Sequence, residues 1–308
     1  MARGMEDVIA PGAEAPTIAM EPTIDTVGVA RRPGAWRRLL RSPLTVVGLI
    51  VVAILVILAV FAPLFTPDNP TAMDLGHRLM PPGPGHPFGT DDGGRDMFSR
   101  VLYGARLSLS AAVTVIVAAS LIGCVVGAVS GYVGGVVDEI LMRVTDMFLA
   151  FPALVLAMAI AASLGPSLIN AMVAVAVVWW PWYARLMRGQ VLAYKNREFV
   201  TAAYATGVGA LRILVRHIVP NCLTPIIVQA TLDSGYAILT TASLSFIGVG
   251  AQPPAPEWGS MVNIGHTYFL DQWWFATFPG MAIFVTVMAF NLIGDGLRDV
   301  LDPRGVAA

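Results

Sequence analysis

Charge is absent from this chain over distances that few soluble folds tolerate. Leu44 to Pro67, Leu107 to Val137, Met147 to Ala184 and Gln272 to Gly294 contain no Asp, Glu, Lys or Arg, and His217 to Pro256 contains only Asp233. A membrane-spanning helix needs about 20 predominantly apolar residues. Each stretch is long enough for one span, and Met147 to Ala184 holds two, broken near Leu164-Gly165-Pro166. Six spans are expected. Asp233 does not cancel the fifth, because a central Asp costs roughly 2.5 to 3.5 kcal/mol while each central Leu, Ile, Val or Phe returns roughly 0.3 to 0.6.

Composition agrees. Of 308 residues, 56% are hydrophobic and 13% charged, against about 25% charged in a soluble domain. A formal net charge of −1 argues against nucleic-acid binding, which normally shows a basic face or stripe. With the N-terminus inside, the inner segments carry six Arg before Leu44, Arg143, six Lys or Arg between Ala184 and His217, and two after Gly294. The outer ones carry Arg78, Arg95, Arg100 and Arg106. Cytoplasmic loops are the ones rich in Lys and Arg, so the expected fold is an all-α polytopic protein with both termini inside. The first apolar run exceeds a signal peptide's 7–15 residues and lacks a small-x-small site before Pro63, so it is read as retained. Cys124 and Cys222 sit in apolar helices and suggest packing rather than a disulfide.

Along the chain, residues 1–35 read as a disordered cytoplasmic tail, 36–62 as the first span with its basic flank, and 63–106 as an ordered external loop dense in Pro and Gly. Residues 107–297 read as a five-helix core with a cytoplasmic loop at 184–216, and 298–308 as an inner tail. Ala119, Gly123, Gly127 and Gly131 recur every four residues, a face that lets a second helix approach closely in lipid. The stretch from Tyr183 to Val219 differs from its surroundings. It holds Arg185, Arg188, Lys195, Arg197, Glu198, Arg212 and Arg216 around a small-residue middle containing Phe199, Ala202, Ala203 and Gly207. Those small residues suggest close backbone contact with a partner.

Ala202-Ala203, three residues, Gly207, then Val219-Pro220 resembles the EAA signature of bacterial ATP-binding-cassette importer permeases, with Thr201, His217 and Val219 standing where Glu, Ile and Leu are usual. Three further segments are similar to the C-type permease of the dipeptide/oligopeptide/nickel branch. The external run is Gly89-Thr90-Asp91, Gly94-Arg95-Asp96, Ser99-Arg100 and Gly104-Ala105-Arg106. The second is Ser243 to Gly250 with Gln252-Pro253-Pro254 and Trp258-Gly259, where Thr241 replaces an acidic residue. The last is Asn291 to Arg304. Together they cover roughly residues 40 to 304.

The resemblance implies a type I importer permease fold in a bacterial cytoplasmic membrane. It also implies a second homologous permease, two cytoplasmic ATP-binding subunits and an extracytoplasmic substrate-binding protein as partners. ATP and Mg²⁺ would be handled by those ATPases, with no cofactor on this chain. Phe199, Ala202, Ala203, Gly207, Val219 and Pro220 would form the ATPase-coupling segment. Di- or oligopeptides are the expected cargo, with nickel complexes or glutathione-like molecules as alternatives within the branch. The sequence itself lacks a G-x-x-x-x-G-K-[ST] loop, and its one lysine, Lys195, follows no glycine.

An ionisable residue inside a span faces a cavity or partner by default, so Asp233 is a pathway candidate, with Gln229 one turn earlier as its neighbour. Trp179, Trp180 and Trp182, and on the outer side Trp258, Trp273 and Trp274, read as lipid-boundary anchors. His77, His86, His217 and His266 show no ligand spacing. Asp91, Asp92, Arg95, Asp96 and Arg100 read as a salt-bridge lattice rather than acid–base machinery, so no catalytic residue is expected. An ion-coupled secondary transporter relaying protons through Asp233 is the competing class. Such folds show repeated halves with matching broken helices, and none is visible here.

Overall fold

The computed structural model describes residues 42–66 and 69–301. The tail at 1–35, the arginines flanking the first span and the run Asp302-Pro303-Arg304 lie outside the described residues. Among the described residues the fold is all-helical, with isolated β-bridges only between Gly83 and His86 and between Thr90 and Asp96.

The first helix, α1 (Pro43–Val60), starts with proline at N1, where the missing N–H costs nothing. Helix α2 (Met97–Val133) starts ten residues before the charge-free run: Asp96 accepts hydrogen bonds from the Ser99 N–H at 2.7 Å and the Ser99 hydroxyl at 2.8 Å. That cap satisfies orphan donors of the first turn, so the end of the expected external loop, including Arg100 and Arg106, is helical. Helix α3 (Gly135–Leu149) carries Arg143, and α4 (Ala153–Leu164) follows at an angle of 88°. Gly165, at φ +92°, separates α4 from α5 (Leu168–Lys195), at the break expected from Leu164-Gly165-Pro166. Helix α5 runs eleven residues past Ala184, so the basic residues Arg185, Arg188 and Lys195 ride on a helix rather than on the expected loop. Beyond it come α6 (Glu198–Ala205), a turn at Ala210–Ile213, a π-helical turn Leu214–Ile218 and α7 (Val219–Phe246). The chain closes with α8 (Trp258–His266) and α9 (Trp273–Leu301).

Four helical stretches are long and apolar enough to cross a membrane: α1, α2, Ala210–Phe246 and α9. The bent α3–α4 pair is long and apolar enough for a fifth if its two helices count as one span. At 28 residues α5 spans about 42 Å, but Trp179-Trp180-Pro181-Trp182-Tyr183 interrupts its apolar run.

Small residues decide how the helices meet. The stripe Gly123, Gly127, Gly131 lies against α5, where a Cβ on Gly123 would stand 2.5 Å from the Trp180 carbonyl and one on Gly127 would overlap the Ala184 carbonyl. Gly48 of α1 touches the Ala289 carbonyl of α9, and Gly235 of α7 faces Val287 of α9. Three apolar clusters stack along the bundle. The inner one is centred on Tyr183, Met187, Ile213 and Ile218, the middle one on Val115, Val175 and Ile238, and the outer one on Met97, Trp258, Met261 and Phe275.

Candidate translocation path and coupling surface

On α7, Gln229, Asp233, Tyr236, Thr240 and Ser243 follow one another at spacings of four, three, four and three residues, which places them on one helical face. All five line a cavity of about 880 Å³, open on one side and walled elsewhere by Ala153 and Leu154 of α4 and by Trp179, Trp182, Tyr183, Arg185 and Leu186 of α5. The Tyr183 hydroxyl donates to one Asp233 oxygen at 2.7 Å and the Gln229 amide to the other at 2.9 Å. Gln229 is thus the i−4 neighbour expected from sequence. Arg185 is taken up by Asp146 at 2.6 Å.

A second cavity of about 660 Å³ shares Leu186 and Gln229 with the first and adds Gln190, Tyr194, Asn221, Thr224 and Arg298. From Asn221 to Ser243 the polar stripe rises about 33 Å, comparable to the roughly 30 Å hydrocarbon thickness. Tyr183, Tyr236, Thr240, Ser243, Gln190 and Asn221 were missed from sequence. The α7 members carry a readable signal, polar residues three or four apart in an apolar helix. Tyr183 and Gln190 carry none, because they arrive from another helix. Of the expected boundary tryptophans at 179–182, Trp180 turns inward, Trp179 is half-buried and Trp182 stays exposed. Trp180 is buried with its ring edge-on to Phe148 at 5.5 Å, and Trp179 and Trp182 line the cavity.

At the inner end, α6 and the turn after it present a mixed surface. Phe199 is 42%, Tyr204 46%, Val215 58% and Leu211 74% exposed. Ala202, Gly207 and Pro220 are also exposed and Val219 is half-buried. Ala203, unlike Phe199, Ala202 and Gly207, is buried with Val200, Ile213 and Ile218 in the loop's own core. Gly207, at φ +76°, makes the turn after α6, a conformation that favours glycine. The loop is tied back to the bundle: the Tyr204 and Tyr132 hydroxyls are 2.5 Å apart, and the Lys195 ammonium donates to the Tyr132 carbonyl. Nearby, Arg188 forms a bidentate pair with Asp138, both contacts at 2.6 Å.

At the outer end the expected salt-bridge lattice is present and buried, with Arg95 Nη1 and Arg100 Nε left without a hydrogen-bond partner. One Asp91 oxygen accepts from the Gly93 and Arg95 N–H groups at 2.8 and 2.9 Å; the other accepts from Arg95 Nε at 2.7 Å and lies 3.3 Å from Arg100 Nε. Arg100, 1% exposed, also donates to the Pro70 and Pro254 carbonyls at 2.7 and 3.2 Å. Thr90 accepts from the Met80 N–H and donates to the His77 carbonyl. Arg106 caps the end of α1 through the Ala59 and Val60 carbonyls. Gly89 and Gly94 both have positive φ, and a side chain on either would strike the chain, at Trp274 and at the Asp74 carbonyl respectively. Trp258 and Trp274, expected at the lipid boundary, are buried here and donate to the Val101 and Thr90 carbonyls at 2.9 and 3.2 Å. Trp273 is half-exposed. Glu257 caps α8 through the Gly259 and Ser260 N–H groups, and burial pushes its carboxyl up from the ordinary value. Asp74 is held below the usual carboxylate range, chiefly by His77. Among the described residues, no group of three or more His, Cys, Asp or Glu could hold a metal.

Residues 123–305 match the family described as binding-protein-dependent transport system inner membrane component. The chain belongs to this family. Residues 34–82 match the N-terminal transmembrane domain of oligopeptide transport permease C, which places it among the C-type permeases of the peptide branch. It is similar to the probable D,D-dipeptide transport system permease protein DdpC of Escherichia coli K12, 49% identical over 85% of this chain and 88% of the relative. The dipeptide transport system permease protein DppC of the same strain is 48% identical over 87% of this chain and 92% of the relative, and its namesake in Alkalihalophilus pseudofirmus 46% over 88% and 89%. A permease of this family is an inner-membrane component and a non-catalytic one.

Proposed function

We propose that the chain is the C-type permease of an ATP-driven peptide importer, and that the polar face of α7 lines half of the substrate pathway. The observation that carries this reading is the continuity of that face: two cavities that share Gln229 in their walls are lined by residues spread over about 33 Å of a helix otherwise apolar enough to span. A stripe of amide, carboxylate and hydroxyl groups is unfavourable against lipid tails and favourable against water or a passing polar molecule. Asp233 and Gln229 sit in its middle.

On this reading α5 is the sixth span and both termini lie inside, a topology that the basic residues of the inner segments support. Phe199, Ala202, Gly207, Tyr204, Leu211 and Val215 form the surface for a cytoplasmic ATP-binding subunit, with Ala203 as its support from below and Val219-Pro220 at the root of α7. The external segment Gly89–Arg106 with Trp258 and Trp274 is a rigid outer platform facing a substrate-binding protein. A second, homologous permease covers the open side of the α7 cavity. Peptides are the cargo because the permeases it resembles belong to dipeptide transport systems; ATP and Mg²⁺ stay on the partner subunits.

Mild-detergent copurification from the native membrane, with mass spectrometry of stoichiometric partners, tests this. The wild-type chain should bring down a second permease and Walker-type ATPases, and the exposed-site variant Leu211→Asp should keep the permease and lose the ATPases. Recovery of the chain alone, or as a homo-oligomer, would instead favour the ion-coupled class.

A further inference from the structure

We propose that Asp233, together with the rings of Trp179, Trp182 and Tyr236, forms a subsite for a primary ammonium group, the amino terminus of a passing peptide. The proposal deepens the importer reading and rests on it for the identity of the ligand.

The carboxylate is built to receive a cation. Tyr183 and Gln229 each donate one hydrogen bond, to opposite oxygens, an arrangement that suits an acceptor-only carboxylate. Each oxygen retains further acceptor capacity, and Asp233 lines the cavity. The charges in the wall do not cancel. Arg185 is the one other charged residue lining this cavity among the described residues, and Asp146 holds it at 2.6 Å, so the wall keeps one unbalanced negative charge at membrane depth. An ammonium group crossing there unpaired would bear a large desolvation cost, and a carboxylate would meet like charge.

The aromatic groups complete the subsite. Trp179 and Tyr236 stand with ring centroids 6.4 Å apart at 60°, forming a corner, and Trp182 and Tyr236 are 60% and 63% exposed. Their faces attract a cation within about 6 Å of the ring centre. The cavity, about 880 Å³, falls in the range of small-molecule sites, roughly 300–1,000 Å³.

The test is a tryptophan-fluorescence titration of the purified chain with its copurifying subunits in lipid nanodiscs. One probe is alanyl-alaninamide, which has an ammonium group and no carboxylate; the other is its N-acetyl derivative, which has neither. The wild-type chain should respond saturably to the free amine and about tenfold or more weakly to the acetylated probe, the size of one lost charge-assisted bond. Asp233→Asn should weaken the free-amine response to a similar degree, and Asp233→Glu should restore it. Equal titration by the two probes on the wild-type chain, a comparison that needs no variant, would overturn the proposal, as would an unchanged response in a folded Asp233→Asn chain. Failure of the wild-type chain to bring down ATPases in the copurification experiment would sink the importer reading without touching this titration, so the two failures are distinguishable.

Discussion

The outer segment from Gly89 to Arg106 and the inner loop from Asn196 to Ile218 look alike in sequence, each mixing arginine, glycine and apolar side chains between spans. They differ in where those groups find partners. Outside, Asp91, Arg95 and Arg100 are buried against one another and against carbonyls of the same chain, and Trp258 and Trp274 fill the space beneath them. Inside, Phe199, Tyr204, Leu211 and Val215 stay in the open while Val200, Ala203, Ile213, Leu214 and Ile218 turn inward. The outer segment is finished by its own chain. The inner one is half a surface.

Four substitutions probe that contrast, beginning with the most damaging. Arg100→Ala removes a buried guanidinium and strands Asp91 with one cationic partner fewer; breaking a buried pair this way costs about 3–5 kcal/mol, and thermal unfolding in detergent should show a large drop in midpoint or loss of folded chain. Gly94→Ala forces a side chain into a left-handed turn and against the Asp74 carbonyl; backbone strain alone adds about 1–3 kcal/mol, read as a smaller fall in the same assay. Trp258→Phe keeps an aromatic ring but removes the indole donor to the Val101 carbonyl; about 1 kcal/mol is expected. Leu211→Asp, on the open loop, should shift stability by no more than about 0.5 kcal/mol while abolishing ATPase copurification. If Leu211→Asp unfolded the chain, or Arg100→Ala left its midpoint unmoved, the division into a closed and an open end would be wrong.

The apolar runs of α1, α2, α7 and α9 were legible because membrane insertion is written in charge, and the break at Leu164-Gly165-Pro166 fell between α4 and α5. Helix ends were less legible. Asp96, Arg100 and Arg106 read as loop because they are charged, yet Asp96 caps α2 and Arg100 is buried on it. In the same way α5 carries Arg185, Arg188 and Lys195 past the apolar run on unbroken helix. The tryptophans misled for a related reason: an amphipathic ring suits a lipid boundary, but it also suits a protein seam where the indole N–H finds a carbonyl, as at Trp258 and Trp274. Asp233 with Gln229 could be paired from spacing within one helix, whereas the Tyr183 hydroxyl, fifty residues earlier in the chain, could not. Ala203 shows the limit of composition: a small residue fits a partner's cleft and its own core equally well.

Cysteine accessibility along α7 tests the central claim most directly. In a chain with Cys124 and Cys222 replaced by Ala, single cysteines at Thr240, Ser243 and Gln229 are treated in intact membranes with a charged, membrane-impermeant thiol reagent supplied to both sides. Ile227, exposed on the opposite side of α7, serves as the lipid-facing control. A water-lined path predicts labelling at Thr240, Ser243 and Gln229 and none at Ile227, with peptide slowing the labelling. Equal protection of all four positions, or labelling of Ile227 alone, would contradict it.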